Sequence, residues 1–242
     1  MSLKSTVEPF SSSLQASVRP NIGPYPSATL AREPITPSKG LVRTQFPSTK
    51  MGRMIACESQ LEHKAALHFE FSPAVRRFRE QPVKFEYDFL GSTRRYTPDF
   101  ELTFYTGEIW YVEIKPANKM LCEDRKLQFS FIETAFEDKG LNFIILTDED
   151  LDHPVRLRNL SLLRMHQRVK PSKTAIQDVT ALLNSNEPTT VGSLVGGVKS
   201  AAVVLSLIAN HQVSVDLDMP ITHSTFVSLP KENNNETCLF TY

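Results

Sequence analysis

Cysteine is scarce. The 242 residues contain three, Cys57, Cys122 and Cys238, odd in number and scattered. That excludes a disulfide framework and a cysteine-based zinc site. Long apolar runs are also missing: the longest, 201–209, is far short of the ~18 residues a membrane-crossing helix needs, and no secretory leader is expected. The expectation is a cytoplasmic protein with reduced thiols and no membrane partner. The six histidines lack metal-ligand spacing, since His63 and His68, five apart, do not share a helix face. No Ser-His-Asp motif is present. Net charge is absent as well, with 27 basic residues against 27 acidic ones.

What is there is a compact run of chemistry. Arg94-Arg95-Tyr96-Thr97-Pro98-Asp99-Phe100 is followed, after a Thr106-Gly107 turn, by Trp110-Tyr111-Val112-Glu113-Ile114-Lys115. Pro98 cannot donate to a β-ladder and so marks a strand beginning. Asp99 then stands at the mouth of one strand. Side chains alternate along the next, so Glu113 and Lys115 share one face while Val112 and Ile114 take the other. Folding the turn brings the two carboxylates and the lysine together. Glu-x-Lys alone commonly means an exposed strand with a weak ion pair. In this combination it describes a centre that can hold Mg²⁺ on hard oxygen ligands beside an ammonium, the equipment for hydrolysing a phosphodiester.

A third carboxylate precedes the hairpin. The spacing of Leu61, Ala65 and Phe69 predicts a helix capped by Ser59, with Glu62 three residues on. Two roles are open to Glu62: the reciprocal partner in a capping box, or a metal ligand leaning over the sheet.

The order of these pieces resembles the PD-(D/E)xK restriction-endonuclease-like nucleases, a mixed α/β sheet flanked by helices. More narrowly it resembles the TnsA-type endonuclease subunits of heteromeric cut-and-paste transposases. The match rests on Ser59-x-x-Glu62, Val75 to Arg79-Glu80-Gln81-Pro82, Tyr96-Thr97-Pro98-Asp99-Phe100, Val112-Glu113-Ile114-Lys115-Pro116-Ala117, Arg125-Lys126-Leu127 and Gly140 to Asp148, within about 51–155. The resemblance implies a subunit that cuts the 5′ ends of the transposon in a bacterial cytoplasm. An RNase H-like transposase (TnsB) would cut and join the 3′ ends, and an AAA+ ATPase (TnsC) would select the target. It carries catalytic roles to Glu62, Asp99, Glu113 and Lys115. Mg²⁺, with Mn²⁺ as substitute, would be held by Glu62, Asp99, Glu113 and the main-chain carbonyl of Ile114. At the Glu113 place the family also uses glutamine. A stand-alone repair or restriction-type nuclease, and a non-catalytic adaptor between transposase and ATPase, are the alternatives.

Double-stranded DNA of the transposon ends is the expected substrate. Local basic residues suited to phosphate contacts are Arg76, Arg77 and Arg79, Arg94 and Arg95, Lys119, and Arg125 and Lys126. A protein with no excess of positive charge should bind DNA weakly by itself, so a DNA-bound partner is expected to deliver it.

Four units are expected: a Pro/Ser-rich tail over 1–48, the endonuclease domain over 49–155, a helical, winged-helix-like partner-binding domain over 156–230, and a second tail over 231–242. Seven of the sixteen prolines fall in the first tail, where Tyr25 and Phe46 are candidates to dock on a partner. In the third unit helices are expected over 156–168, 173–184 and 198–209. A connector should span 190–197, and strands 212–217 and 225–229. From 176 to 242 there are two basic residues against six acidic ones, which favours protein contact over DNA contact.

Overall fold

The computed structural model describes residues 43–185 and 187–230. A hairpin of β1 (Thr44–Ser48) and β2 (Arg53–Cys57) leads into α1 (Gln60–Phe71), then β3 (Val75–Glu80). A second hairpin, β4 (Phe85–Phe89) and β5 (Ser92–Tyr96), precedes β6 (Phe100–Phe104) and β7 (Ile109–Ile114). After α2 (Ala117–Met120) and α3 (Glu123–Glu137) come β8 (Asn142–Leu146), α4 (Asp148–Leu151) and α5 (Pro154–His166). The remainder is α6 (Lys173–Leu183), β9 (Thr189–Thr190), α7 (Val191–Val198), α8 (Ala201–Ala209) and β10 (Phe226–Val227).

The central sheet runs β3-β6-β7-β8. The first three strands are antiparallel and β8 joins β7 in parallel. That parallel pairing requires the crossover made by α2 and α3. Alternation along β7 gives the sheet two different faces. Val112 and Ile114 turn to the core shared with α1, where Phe69, Phe78 and Phe100 meet edge to face or tilted at 5.3–6.5 Å. Tyr111 turns to a separate aromatic layer with Phe129, Ile132 and Phe136 of α3 and the inward side of the β4–β5 hairpin. The sheet is therefore a mixed one covered by helices, as expected.

The tail expected to reach residue 48 ends earlier, because Thr44–Ser48 form β1 and Phe46 is fully buried. Phe46 serves this chain's own core and is not a free docking residue; Tyr25 lies outside the described residues. Pro47 disguised the strand, yet proline is tolerated on an edge strand such as this one. The turn after β1 is held by Glu70 of α1, a buried carboxylate that accepts from Ser48 Oγ (2.5 Å), Thr49 N (2.9 Å), Lys50 N (2.8 Å) and Gln167 Nε2 (3.0 Å). Lys50 Nζ donates to the carbonyls of Phe69, Ser72 and Val75 at 2.7–2.8 Å, closing the C-terminal end of α1. Burial lowers its pKa to about 8.

Helix α5 packs on both α1 and α8 and so joins the sheet to the C-terminal helices. Asn159 Nδ2 reaches the carbonyls of Leu217 and Met219, both at 2.8 Å, and Arg156 pairs with Asp218 at 2.6 Å. Helix α6 has the expected Ser172 cap. The stretch expected to be a connector is α7, started by a capping box between Thr190 and Ser193. The long helix expected over 198–209 is broken at Lys199, in the left-handed region at φ 56°, and restarts at Ala201. Over 212–217 a single bridge, Ser214 to Ser228, replaces the expected strand, although Val213, Val215 and Leu217 alternate inward. β10 pairs instead with β9.

Glycine masked α7 because its low helix propensity reads as a break. At Gly192 the missing side chain is a packing requirement: its N–H donates to the His223 carbonyl at 2.8 Å, and a Cβ would stand 2.8 Å from the same oxygen. Gly192→Ala is expected to destabilise the protein by up to about 2 kcal/mol, an overpacking cost of about 1–3 kcal/mol set against the ~1 kcal/mol gained in propensity. Gly196 has open space around it, so Gly196→Ala should stabilise by roughly 0.5–1 kcal/mol. Urea unfolding of both variants checks the contrast; equal shifts would contradict it.

Candidate active site

The β5–β6 corner and the end of β7 build the site. The last ladder pair between β6 and β7 is Phe100 with Val112. Beyond it the Asp99 side chain takes over from the main chain, Oδ2 accepting from Ile114 N at 2.8 Å. Asp99 is thereby fixed at the strand end, with its carbonyl accepting from Gln81 N at 2.9 Å. Lys115 N continues the parallel ladder to the Leu146 carbonyl at 3.0 Å. From there Lys115 Nζ turns back to Glu113 Oε1 at 2.5 Å, the Ile114 carbonyl at 3.3 Å and Asp99 Oδ2 at 3.5 Å. Asp99, Glu113 and Lys115 are thus brought together.

Glu62 closes the helix start, but not as the reciprocal capping box, because its carboxylate takes the N–H of Glu58 and the hydroxyl of Ser59 rather than the Ser59 N–H. Its oxygens accept from Glu58 N (2.6 Å) and Ser59 Oγ (3.0 Å), while Ser59 Oγ accepts from Glu62 N at 3.0 Å. The same carboxylate also feels Asp99. Burial first, then the Asp99 charge, push Glu62 up to about 7. Burial and Asp99 likewise raise Glu113 to about 7, against the pull of Lys115 and Tyr96. Asp99 itself is raised by burial, although Lys115 and the Ile114 N–H act the other way. Burial works against the Lys115 ammonium, but Asp99 and Glu113 outweigh it and its pKa is raised. The cap and the electrostatic contact coexist on one residue.

Three carboxylates gathered around one ammonium leave two negative charges uncompensated when all are ionised, in a place where burial makes each expensive. A divalent cation cancels that excess, and carboxylate and carbonyl oxygens are the hard donors Mg²⁺ prefers. By donor chemistry the residues fit the group. Among the described residues, however, no three Asp, Glu, His or Cys side chains form a ready-made shell. Their oxygens are engaged by protein donors, Glu62 by its cap and Glu113 by Lys115 and Tyr96.

Tyr96 is the residue that sequence reasoning passed over. Its hydroxyl donates a short hydrogen bond to Glu113 Oε2. It stood in plain view in the Tyr96-Thr97-Pro98-Asp99 motif, but only pairing of β4 with β5 aims its ring at Glu113. That hairpin was not anticipated.

The candidate DNA contacts separate into two groups. Arg76 and Arg77 on β3, Arg94 and Arg95 on β5, Lys119 on α2 and Lys126 on α3 are exposed, and Arg125 is half-buried. Arg94 lies 4.1 Å over the Phe89 ring, Arg95 pairs with Glu86 at 3.1 Å, and Lys126 with Glu123 at 2.8 Å. Exposed pairs of this kind are weak and easily exchanged for phosphate. Arg79 differs: its guanidinium grips the buried Glu101 through Nε (2.9 Å) and a terminal nitrogen (2.7 Å). A bidentate partner of a buried carboxylate holds the β3–β6 pairing, and releasing it to DNA would strand Glu101.

A mixed sheet with an aspartate at one strand mouth and Glu-x-Lys on the next strand defines a restriction-endonuclease-like nuclease domain. Comparison with known families narrows the class: residues 72–148, about a third of the chain, match the family model of the TnsA-like endonuclease N-terminal domain. The match includes Asp99, Glu113 and Lys115, stops short of Glu62, and supports a transposon-associated nuclease. No curated protein matches the chain. Among the described residues no helix is long and apolar enough to cross a membrane.

Proposed function

We propose that this chain is the metal-dependent endonuclease of a transposition complex, cutting the 5′ ends of the transposon while an RNase H-like transposase (TnsB) cuts and joins the 3′ ends. The observation that carries the reading is the convergence of Asp99, Glu113 and Lys115 within the TnsA-like domain. Glu62, Asp99, Glu113 and the Ile114 carbonyl would hold Mg²⁺ or Mn²⁺. When bound, the ion supplies Lewis-acid polarisation of the phosphate and acidifies water.

The remaining work belongs to the protein. Lys115 Nζ, already between Asp99 and Glu113, presents an ammonium to the negative charge that builds on the phosphate oxygens in the transition state. Asp99, bound to Ile114 N, keeps a rigid position at the strand end and fixes the distance between ligand and lysine. Exposed Arg76, Arg77, Arg94, Arg95, Lys119 and Lys126, with Arg125, would hold the DNA backbone. The zero net charge makes that grip weak, which fits delivery by a DNA-bound partner.

The C-terminal unit has helices α6–α8 with β9 inserted before α7 and β10 after α8, and we read it as a winged-helix-like partner domain. The acidic balance of 176–242 favours a protein contact, with the AAA+ ATPase (TnsC) as the expected partner. The test is donor excision with transposase, ATPase and Mg²⁺, with and without this chain. Appearance of 5′-side cuts only when the chain and Mg²⁺ are both present supports the reading. Cuts that persist in EDTA, or in its absence, overturn it.

A further inference from the structure

Glu113 is held at both oxygens, by two residues of opposite kind. Oε1 faces the Lys115 ammonium at 2.5 Å, and Oε2 receives the Tyr96 hydroxyl. The glutamate is 4 % exposed, so neither oxygen has bulk water as an alternative partner.

The Tyr96 ring is seated in an aromatic socket. Its centroid stands 6.4 Å from Phe129, 6.3 Å from Phe136 and 6.0 Å from Phe143, edge-on to each. Its main chain is fixed independently, because Tyr96 pairs with Phe85 at the base of the β4–β5 hairpin. Three residues later the same chain delivers Asp99. One rigid segment therefore sets both the position of Asp99 and the orientation of Glu113.

We propose that Tyr96 is a positioning residue of the nuclease centre: its hydroxyl occupies Glu113 Oε2 and orients the carboxylate so that Oε1 faces Lys115, the oxygen that would be presented to a metal. This rests on the nuclease reading above. Without the hydroxyl the carboxylate can rotate, and the oxygen shared with Lys115 is no longer fixed. Outer partners that orient metal-ligating carboxylates commonly govern affinity and activity by about 10–100-fold.

The experiment uses the full chain with Tyr96→Phe, which keeps the ring and removes only the hydroxyl. Mn²⁺ binding is measured by calorimetry without DNA, and 5′-strand cutting in the reconstituted transposition reaction. The expected result is Mn²⁺ affinity about 10–100-fold weaker and kcat lower by a similar factor, with KM for transposon DNA within about twofold of wild type. A second variant, Phe129→Leu, loosens one wall of the socket and leaves the hydroxyl; it should lower the melting temperature, and Mn²⁺ affinity should fall less than in Tyr96→Phe, which separates loss of the hydroxyl from loss of stability. Tyr96→Phe with unchanged Mn²⁺ affinity and unchanged kcat overturns the assignment, as does a wild type that binds no Mn²⁺. A wild type that binds Mn²⁺ but never cuts sinks the nuclease reading, and the affinity comparison then decides the role of Tyr96 by itself.

Discussion

Lys115→Ala is expected to lower 5′-strand cleavage by about 10²–10³-fold at saturating metal, the usual loss when an electrostatic donor to a developing oxyanion is removed. Stability responds separately. Lys115 is the ammonium between Asp99 and the buried Glu113, and removing one partner of such a group leaves its carboxylates unpaired. In EDTA the variant should therefore melt below wild type. Adding Mg²⁺ should recover much of the difference, because the cation takes over the compensation the ammonium provided. Melts with and without Mg²⁺, beside cleavage assays in which the variant is fully folded, separate the two effects. Near-normal cutting by the folded variant would remove Lys115 from the chemistry.

Glu62→Gln is expected to move stability and activity in opposite directions. The Glu62 carboxyl is raised from 4.5 to about 7 by burial and by Asp99. A carboxyl whose folded pKa lies above its unfolded one binds more protons when folded. Its ionised form therefore destabilises the fold, by an amount that is absent below pH 4.5, grows between 4.5 and 7, and is complete above 7. Glutamine has no charge to bury and keeps one oxygen to accept from Glu58 N, preserving much of the cap. At pH 8 in EDTA the variant should be more stable than wild type by about 1–2 kcal/mol, a value reduced from the full shift for partial exposure. At pH 4 the two should coincide. Cleavage should fall, because an amide is a poorer partner for a hard cation than a carboxylate. Denaturant unfolding at the two pH values measures the first effect. A variant less stable than wild type at pH 8 would mean that the cap is its whole role.

Much of the site was legible because its chemistry is local in sequence. Pro98-Asp99 and Glu113-x-Lys115 lie on consecutive strands, so period-two alternation and one turn suffice to bring them together. Ser59 and Glu62 are three apart at one helix start, and the contacts that close that start are present, Ser59 Oγ accepting from Glu62 N. What escaped depends on distant partners. The hydroxyl of Tyr96 meets Glu113 across 17 positions, through a hairpin whose inward side is shaped by α3. Phe46 read as tail because its burial needs His63 and the rest of α1, which local composition does not encode. Helix α7 was hidden by glycines that the fold uses for close approach to His223 and Leu182. Arg79 looked like its exposed neighbours Arg76 and Arg77, and only the register of β3 against β6 sets it over Glu101.

The most direct measurement maps both strands at each transposon end during donor excision, with transposase, ATPase and Mg²⁺ supplied, comparing wild type with Asp99→Ala. Circular dichroism and melting of the variant establish that it is folded. The result predicted here is loss of the 5′-side cuts alone, with 3′ joining intact and products shifting from excised insertions to co-integrates. Unchanged 5′-side cuts by the folded variant would contradict the account and make this chain an adaptor for another nuclease.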